Sequence, residues 1–216
     1  MCYVIVTARS LLWSLLSIVA VLGMLASIPS PTWLVGYPRK VAGNVTYSPS
    51  AGVYTRCAWV SGKELCGPFA IEGLATPSHI FPGCWKAALV LLFAGLAVAS
   101  MSALASILAI CKQALCRKSI FTISGAAQAV AAILYILGFV LYPGGWGSPR
   151  AQKLCGDEAA PFYPAECSIG WGLYAAVGSM GLTLLCALLS MQADIATSSD
   201  KVEFQIQQGR SLICLW

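Results

Sequence analysis

The side chains with chemistry to offer are few, and cysteines lead them. The chain has ten cysteines and a single histidine in 216 residues. Cys57 and Cys66 share the segment 30–86, and Cys155 and Cys167 share the segment 143–168. Each pair is close enough in sequence to close a short disulfide loop, worth about 3 kcal/mol in the chain-entropy picture. Pairing within each loop is the expectation, and Cys84 keeps other pairings open. Cys111 and Cys116 stand beside Arg117 and Lys118 at the end of an apolar run, where thiols are candidates for palmitate. Cys2 and Cys214 share that candidacy, and inert thiols are an equal alternative for all of them. Cys214 is third from the end, so it does not complete a prenylation signal.

Catalysis finds no footing. His79, in Pro77-Ser78-His79, is the one candidate imidazole base and has no evident partner. No phosphate-binding GxxxxGK[ST] loop, HExxH helix or zinc-type cysteine spacing occurs. Asp157-Glu158 would suit a hard cation, but adjacent acids on a loop are ordinarily solvated. The reading is a chain that is not an enzyme and that has no cofactor or metal.

The elements that must hold these residues are membrane spans. The composition is 58% hydrophobic and 10% charged, with mean hydropathy +0.78. Soluble domains carry about 25% charged residues. Four apolar runs, at residues 11–29, 87–111, 120–142 and 169–191, match the roughly 17–25 residues that cross a bilayer core, and none contains Lys, Arg, Asp, Glu or His. An isolated mid-membrane charge costs at least about 2.5 kcal/mol, so simple spans are expected to lack one. The same absence removes proton relays and charged pore rings. A cleaved signal peptide is the alternative for the first run, disfavoured by its length and by Pro29 and Pro31 closing it. Four spans use nearly the whole chain, which reads as a single tetraspan domain over 1–216 with a tail at 192–216. The net charge of +5 is scattered, with no stripe that would suit nucleic acid.

Orientation follows from the loops. The short 112–119 loop carries Lys112, Arg117 and Lys118 without an acid and reads as cytoplasmic. The 30–86 and 143–168 loops then share the opposite, extracellular face. Their paired cysteines and the Asn44-Val45-Thr46 glycosylation sequon agree with an oxidising compartment. Both termini are expected in the cytosol, and the plasma membrane is the expected location. The first loop reads as β: short Val-, Thr-, Tyr- and Trp-rich stretches at 32–35, 45–47, 52–60 and 64–66, with Ser61-Gly62 as a hairpin turn. Trp13 near the inner membrane edge and Trp33, Trp85, Trp146 and Trp171 near the outer edge read as an interfacial belt.

Small residues recur four apart within the spans. Gly95, Ala99 and Ala103 form the longest row, Gly125 and Ala129 a second, and Gly172 and Ala176 a third. Such rows let helices approach closely in lipid. Packing inside the chain is the first reading, and a docking face for a partner, on the second span, is the sharper one. Gln128 is the one amide deep in the third span, placed to hydrogen-bond between helices.

These residues also carry a resemblance. Trp33, then Gly52-Val53-Tyr54 before Cys57 and Cys66, is similar to the motif of the claudin-like tetraspan superfamily. The strings Leu141-Tyr142-Pro143-Gly144-Gly145-Trp146-Gly147, Leu154-Cys155-Gly156 and Cys167-Ser168-Ile169-Gly170-Trp171 resemble the LHFPL (lipoma HMGIC fusion partner-like) tetraspan subfamily. The N-terminal Met1-Cys2-Tyr3-Val4-Ile5-Val6-Thr7 and the 193–202 tail string are similar to that subfamily's second-member branch. The resemblance covers nearly the whole chain. It implies a four-helix transmembrane bundle topped by a small extracellular β-sheet. It also implies a partner or auxiliary subunit of other integral membrane proteins in cis, with one branch tied to reproductive tract development. A self-assembling claudin-like adhesion or pore protein, hence a homo-oligomer, is the alternative. The second cysteine pair is foreign to true claudins, and the tetraspanin CCG motif is absent.

Overall fold

The computed structural model describes residues 4–41, 45–69, 73–108, 114–115, 118–197 and 212–215. Four long apolar helices dominate: α1 (Ala8–Ser27), α2 (Gly83–Leu108), α3 (Ile120–Gly144) and, after the short α4 (Pro149–Cys155), α5 (Trp171–Thr197). All four long helices are of a length and apolarity to cross a membrane. The strands in chain order are β1 (Val4–Thr7), β2 (Leu34–Val35), β3 (Arg39–Val41), β4 (Val45–Tyr47), β5 (Ser50–Ala51), β6 (Thr55–Val60), β7 (Lys63–Pro68), β8 (Ala114–Leu115), β9 (Lys118–Ser119), β10 (Ser168–Ile169) and β11 (Leu212–Leu215). This is the claudin-like tetraspan arrangement: long apolar helices with a small antiparallel sheet between the first and second.

Helix ends depart from the hydropathy boundaries for local reasons. α1 starts three residues earlier than the apolar run. Thr7 and Ser10 bond reciprocally there, each side-chain oxygen accepting from the other's backbone N–H at 3.2 and 3.1 Å, as a capping box does. α2 begins at Gly83, directly after Pro82, whose carbonyl accepts the first helical bond from the Lys86 N–H at 3.0 Å. α5 begins at Trp171 rather than 169: apolar Ile169 is in β10, and Gly170 donates its backbone N–H to the Trp33 carbonyl at 3.0 Å. It then runs past Met191 to Thr197.

The chain divides into two compact units. One comprises Met1–Leu22, Ala94–Ile133 and Ser179–Trp216. Its core gathers Trp13, Ile120, Phe121, Cys186 and Ala193. The backbone of β1 pairs in parallel with β11, and β8 pairs antiparallel with β9.

The other unit comprises Gly23–Phe93 and Leu134–Gly178 and carries the main sheet. Its strand order is β10-β2-β5-β6-β7, all antiparallel neighbours, and a separate β3–β4 pair lies beside it in sequence. Ser61 (φ 52°) and Gly62 (φ 84°) turn β6 into β7, the two-residue geometry whose twist suits a hairpin. Gly52-Val53-Tyr54, expected to be extended, instead turns the chain between β5 and β6, with Gly52 N–H bonded to the Thr55 carbonyl at 2.8 Å. A Cβ on Gly52 would collide with the Ser30 carbonyl, so the turn needs glycine for backbone approach. β3 was not expected, since Arg39 and Lys40 obscure an apolar alternation. Nor was α4, which is capped by Ser148 and opened by Pro149.

The candidate functional site: a pinned sheet and buried helix seams

Both expected disulfides form. Cys57 and Cys66 face each other across β6 and β7 as a register pair, with Cα atoms 4.1 Å apart. Cys155–Cys167 joins the end of α4 to the approach to β10, at 4.8 Å. A two-stranded hairpin alone is marginal in water, so the first bridge clamps the widest pairing in the sheet. Cys84 is free and exposed, and Cys186 is free and buried.

Aromatic side chains fix this sheet to the helix ends in its own unit. Tyr142, near the end of α3, is fully buried. Its ring lies 5.0 Å from Trp33, 5.5 Å from Trp85 and 6.2 Å from Trp146. Its carbonyl accepts the Trp85 indole N–H at 3.1 Å, and its hydroxyl donates to the Ala51 carbonyl at 3.4 Å. Trp33 donates to the Ser27 carbonyl at 2.8 Å. Phe69 continues the cluster to Trp85 and Phe81. The Tyr54 carbonyl accepts from Phe69 N–H at 2.9 Å.

That arrangement corrects the interfacial-belt reading. Trp13, Trp33, Trp85 and Trp146 are buried within the protein, and only Trp171, 57% exposed, stands where an interface could claim it. A tryptophan near a span end satisfies both readings by position. Burial separates them, and so does an in-chain acceptor for the indole N–H of Trp13, Trp33 and Trp85; neither is visible in spacing.

The intramembrane seams lie in the unit with the termini. Gly95, Ala99 and Ala103 are all buried, and Ser102 beside them donates to the Ser124 carbonyl at 3.2 Å. The row expected as a docking face on α2 is therefore turned inward. Gly125 packs on Ser190, whose side chain occupies the space a Cβ would take. Gln128 donates to Ser17 Oγ at 2.8 Å, and Trp13 donates to the Cys186 carbonyl at 2.9 Å. Ala129 is half-buried. In the sheet unit, Gly172 and Ala176 are likewise buried, with Trp33 against Gly172. The exposed positions of α2 include the apolar Met101 and Leu104.

The remaining candidates for chemistry stay apart. His79, Asp157 and Glu158 are exposed. Glu64 lies close to the sulfurs of Cys57 and Cys66, but those sulfurs are bonded to each other and are not thiolate ligands. Glu64 instead accepts from the Tyr47 hydroxyl at 3.1 Å. Partial burial, then the Glu64 carboxylate, pushes that phenol up to about 12. Asn44, Cys2, Cys111 and Cys116 lie outside the described residues, and of Cys214 only the backbone, in β11, is described.

The sheet, its disulfide and the four apolar helices match in order what the loop motifs implied. The family model for Lipoma HMGIC fusion partner-like protein matches residues 9–194. The chain belongs to the LHFPL tetraspan family. It is 44% identical to LHFPL tetraspan subfamily member 2a of Danio rerio and 41% identical to LHFPL tetraspan subfamily member 2 of Homo sapiens, over the full length of both chains in each case. Member 5 of Gallus gallus is more distant, at 23% identity over 91% of this chain and 86% of the relative. The protein is thus a multi-pass membrane protein of the LHFPL tetraspan family, a family not known for enzymes.

Proposed function

We propose that this LHFPL tetraspan protein is a single-domain, non-enzymatic partner subunit that binds other integral membrane proteins in cis. The carrying observation is where its polar and apolar groups are spent. The Ser17 and Ser102 hydroxyls and the Gln128 amide N–H bond within the chain, while Gln128 Oε1, Ser124 Oγ and Tyr135 OH are buried without a partner among the described residues. The sheet unit leaves Tyr37, Leu65, Phe162 and Tyr163 exposed, apolar side chains that a partner would cover. β7 ends the five-stranded order and has one sheet neighbour among the described residues, which makes its other edge a candidate for strand addition. The cysteine pairs and the Asn44 sequon support an extracellular sheet, with cytosolic termini and residence in the plasma membrane. A role in tissue development, including the reproductive tract, has the subfamily resemblance as its support. The test is crosslinking and mass spectrometry from native membranes, with recovery of hetero-partners bridged to the 30–86 or 143–168 loops as the expected result. An epitope at residue 200 accessible on intact cells would refute the orientation. Self-assembly through the same β7 edge is the alternative, and freeze-fracture strands in expressing cells would establish it.

A further inference from the structure

The sheet unit contains a cleft of about 200 Å³ whose lining includes Arg39, Arg56, Arg150 and Lys153 and, among the described residues, no Asp or Glu. Four of the chain's thirteen Lys and Arg residues thus converge on one small concavity. They come from three elements: Arg39 from β3, Arg56 from β6, and Arg150 and Lys153 one turn apart on α4. Like charges held together repel, and folding brings these together without an acid in the lining to offset them. Two of the four are held in place by the fold. Arg39 donates to the Lys153 carbonyl at 3.2 Å, and the Arg56 guanidinium lies 5.9 Å from the centre of the Phe69 ring. Phe69 and Trp85 also line it, and the Trp85 indole N–H is already given to Tyr142. The cleft is smaller than the roughly 300–1,000 Å³ of a drug-sized site, so it would seat one or two charged groups of a larger molecule.

We infer that this cleft binds a sulfate or phosphate ester, presented by a sulfated sugar of the cell surface. Arginine's planar fork grips tetrahedral oxyanions in bidentate fashion, and three arginines with a lysine suit more than one negative charge. A single carboxylate would leave most of that charge unmatched. The choice of source rests on the proposed extracellular placement. Anionic lipid is concentrated in the cytoplasmic leaflet, which leaves sulfated glycans as the dense supply of such esters on this side.

The test uses the full-length protein purified in detergent, with a fully sulfated heparin hexasaccharide as the probe. Expected are saturable binding that weakens as salt rises, and at least a tenfold weaker Kd for Arg150→Gln/Lys153→Gln. Lys63→Gln, an exposed cation outside the cleft, should stay within about twofold of the parent, the scale of a single screened surface charge. Chemically desulfated hexasaccharide, which keeps its carboxylates, should lose binding. Inorganic phosphate should compete, and phosphatidylserine nanodiscs should not bind through these residues. Equal hexasaccharide affinity in the double variant and the parent overturns the inference. So does retained binding after desulfation, or nanodisc binding that the double variant abolishes. Because both faces are open in detergent, a failure here is separate from a failure of the orientation, which the residue-200 epitope reads. Should the double variant misfold, judged by labelling of the buried Cys186 thiol, Arg150→Gln and Lys153→Gln alone carry the test, each expected to weaken binding at least threefold.

Discussion

Removing the Tyr142 ring should detach the sheet from its helices. The ring is fully buried and meets Trp33, Trp85 and Trp146. Each aromatic pair is worth about 0.5–1.5 kcal/mol beyond its buried area, so three pairs account for roughly 1.5–4.5 kcal/mol, and large-to-small aromatic replacements in cores cost about 3–5 kcal/mol. Tyr142→Ala should therefore lose about 3–5 kcal/mol, a large share of the 5–15 kcal/mol that folded domains possess. Tyr142→Phe keeps every ring contact and gives up only the 3.4 Å bond to the Ala51 carbonyl, a loss of about 1 kcal/mol or less. The assay is thermal unfolding in detergent, followed by a thiol-reactive dye after accessible thiols are blocked. Buried Cys186 then reports the loss of structure. A Phe variant near the parent and an Ala variant with a much lower Tm, retained in the endoplasmic reticulum, is the expected pattern. An Ala variant within about 1 kcal/mol of the parent, or a Phe variant as unstable as Ala, would refute the assignment of the cluster as the anchor.

Four further outcomes are expected. Cys57→Ser should cost about 3 kcal/mol and leave Cys66 reactive; normal surface delivery without a new thiol would contradict the bridge's role. Ala99→Leu and Gly125→Leu should overpack buried seams, costing about 1–3 kcal/mol or more, while half-buried Ala129→Leu should be better tolerated; surface expression ranks the three, and the reverse order would count against the seams. Gln128→Leu gives up a bond worth about 0.6 kcal/mol but also removes an amide oxygen without a partner among the described residues, so Tm should hold or rise, and a fall of more than about 5 °C would show the amide to be essential. Asn44→Gln should abolish a glycosidase-dependent mobility shift, and a shift that persists would place the glycan elsewhere.

Much of the fold was legible because its signals are local. A run of apolar residues without charge has few alternatives to a span, and α3 ends two residues beyond its apolar run. The β6–β7 hairpin was readable from Ser61-Gly62 and its flanking alternation, and the Cys57–Cys66 register follows once that turn is fixed. The failures share one cause: hydropathy records that a residue avoids water, not what replaces the water. Trp33 and Trp85 would satisfy a lipid interface by position, yet both are enclosed by protein. The Gly95–Ala99–Ala103 row fits a partner helix as well as a neighbour within the chain. Ile169 extends an apolar run but is in a strand, because Gly170 turns the backbone toward Trp33. The basic cleft left no trace at all, since its four cations are brought together only by the fold.

The place of β10 in the sheet sets an order on biosynthesis. Ser168 pairs with Val35 across a separation of 133 residues. At about 5–20 residues per second, the ribosome needs roughly 7–27 s to supply the closing strand after its partner has emerged. During that wait β2 has one free edge, and the Trp33 and Thr32 carbonyls lack the Gly170 and Gly172 N–H groups that later satisfy them. Completion of the sheet is thus a readout that synthesis has reached the start of α5. A chain stalled or truncated before residue 168 would display an open edge to chaperones, so the fold carries its own signal for quality control.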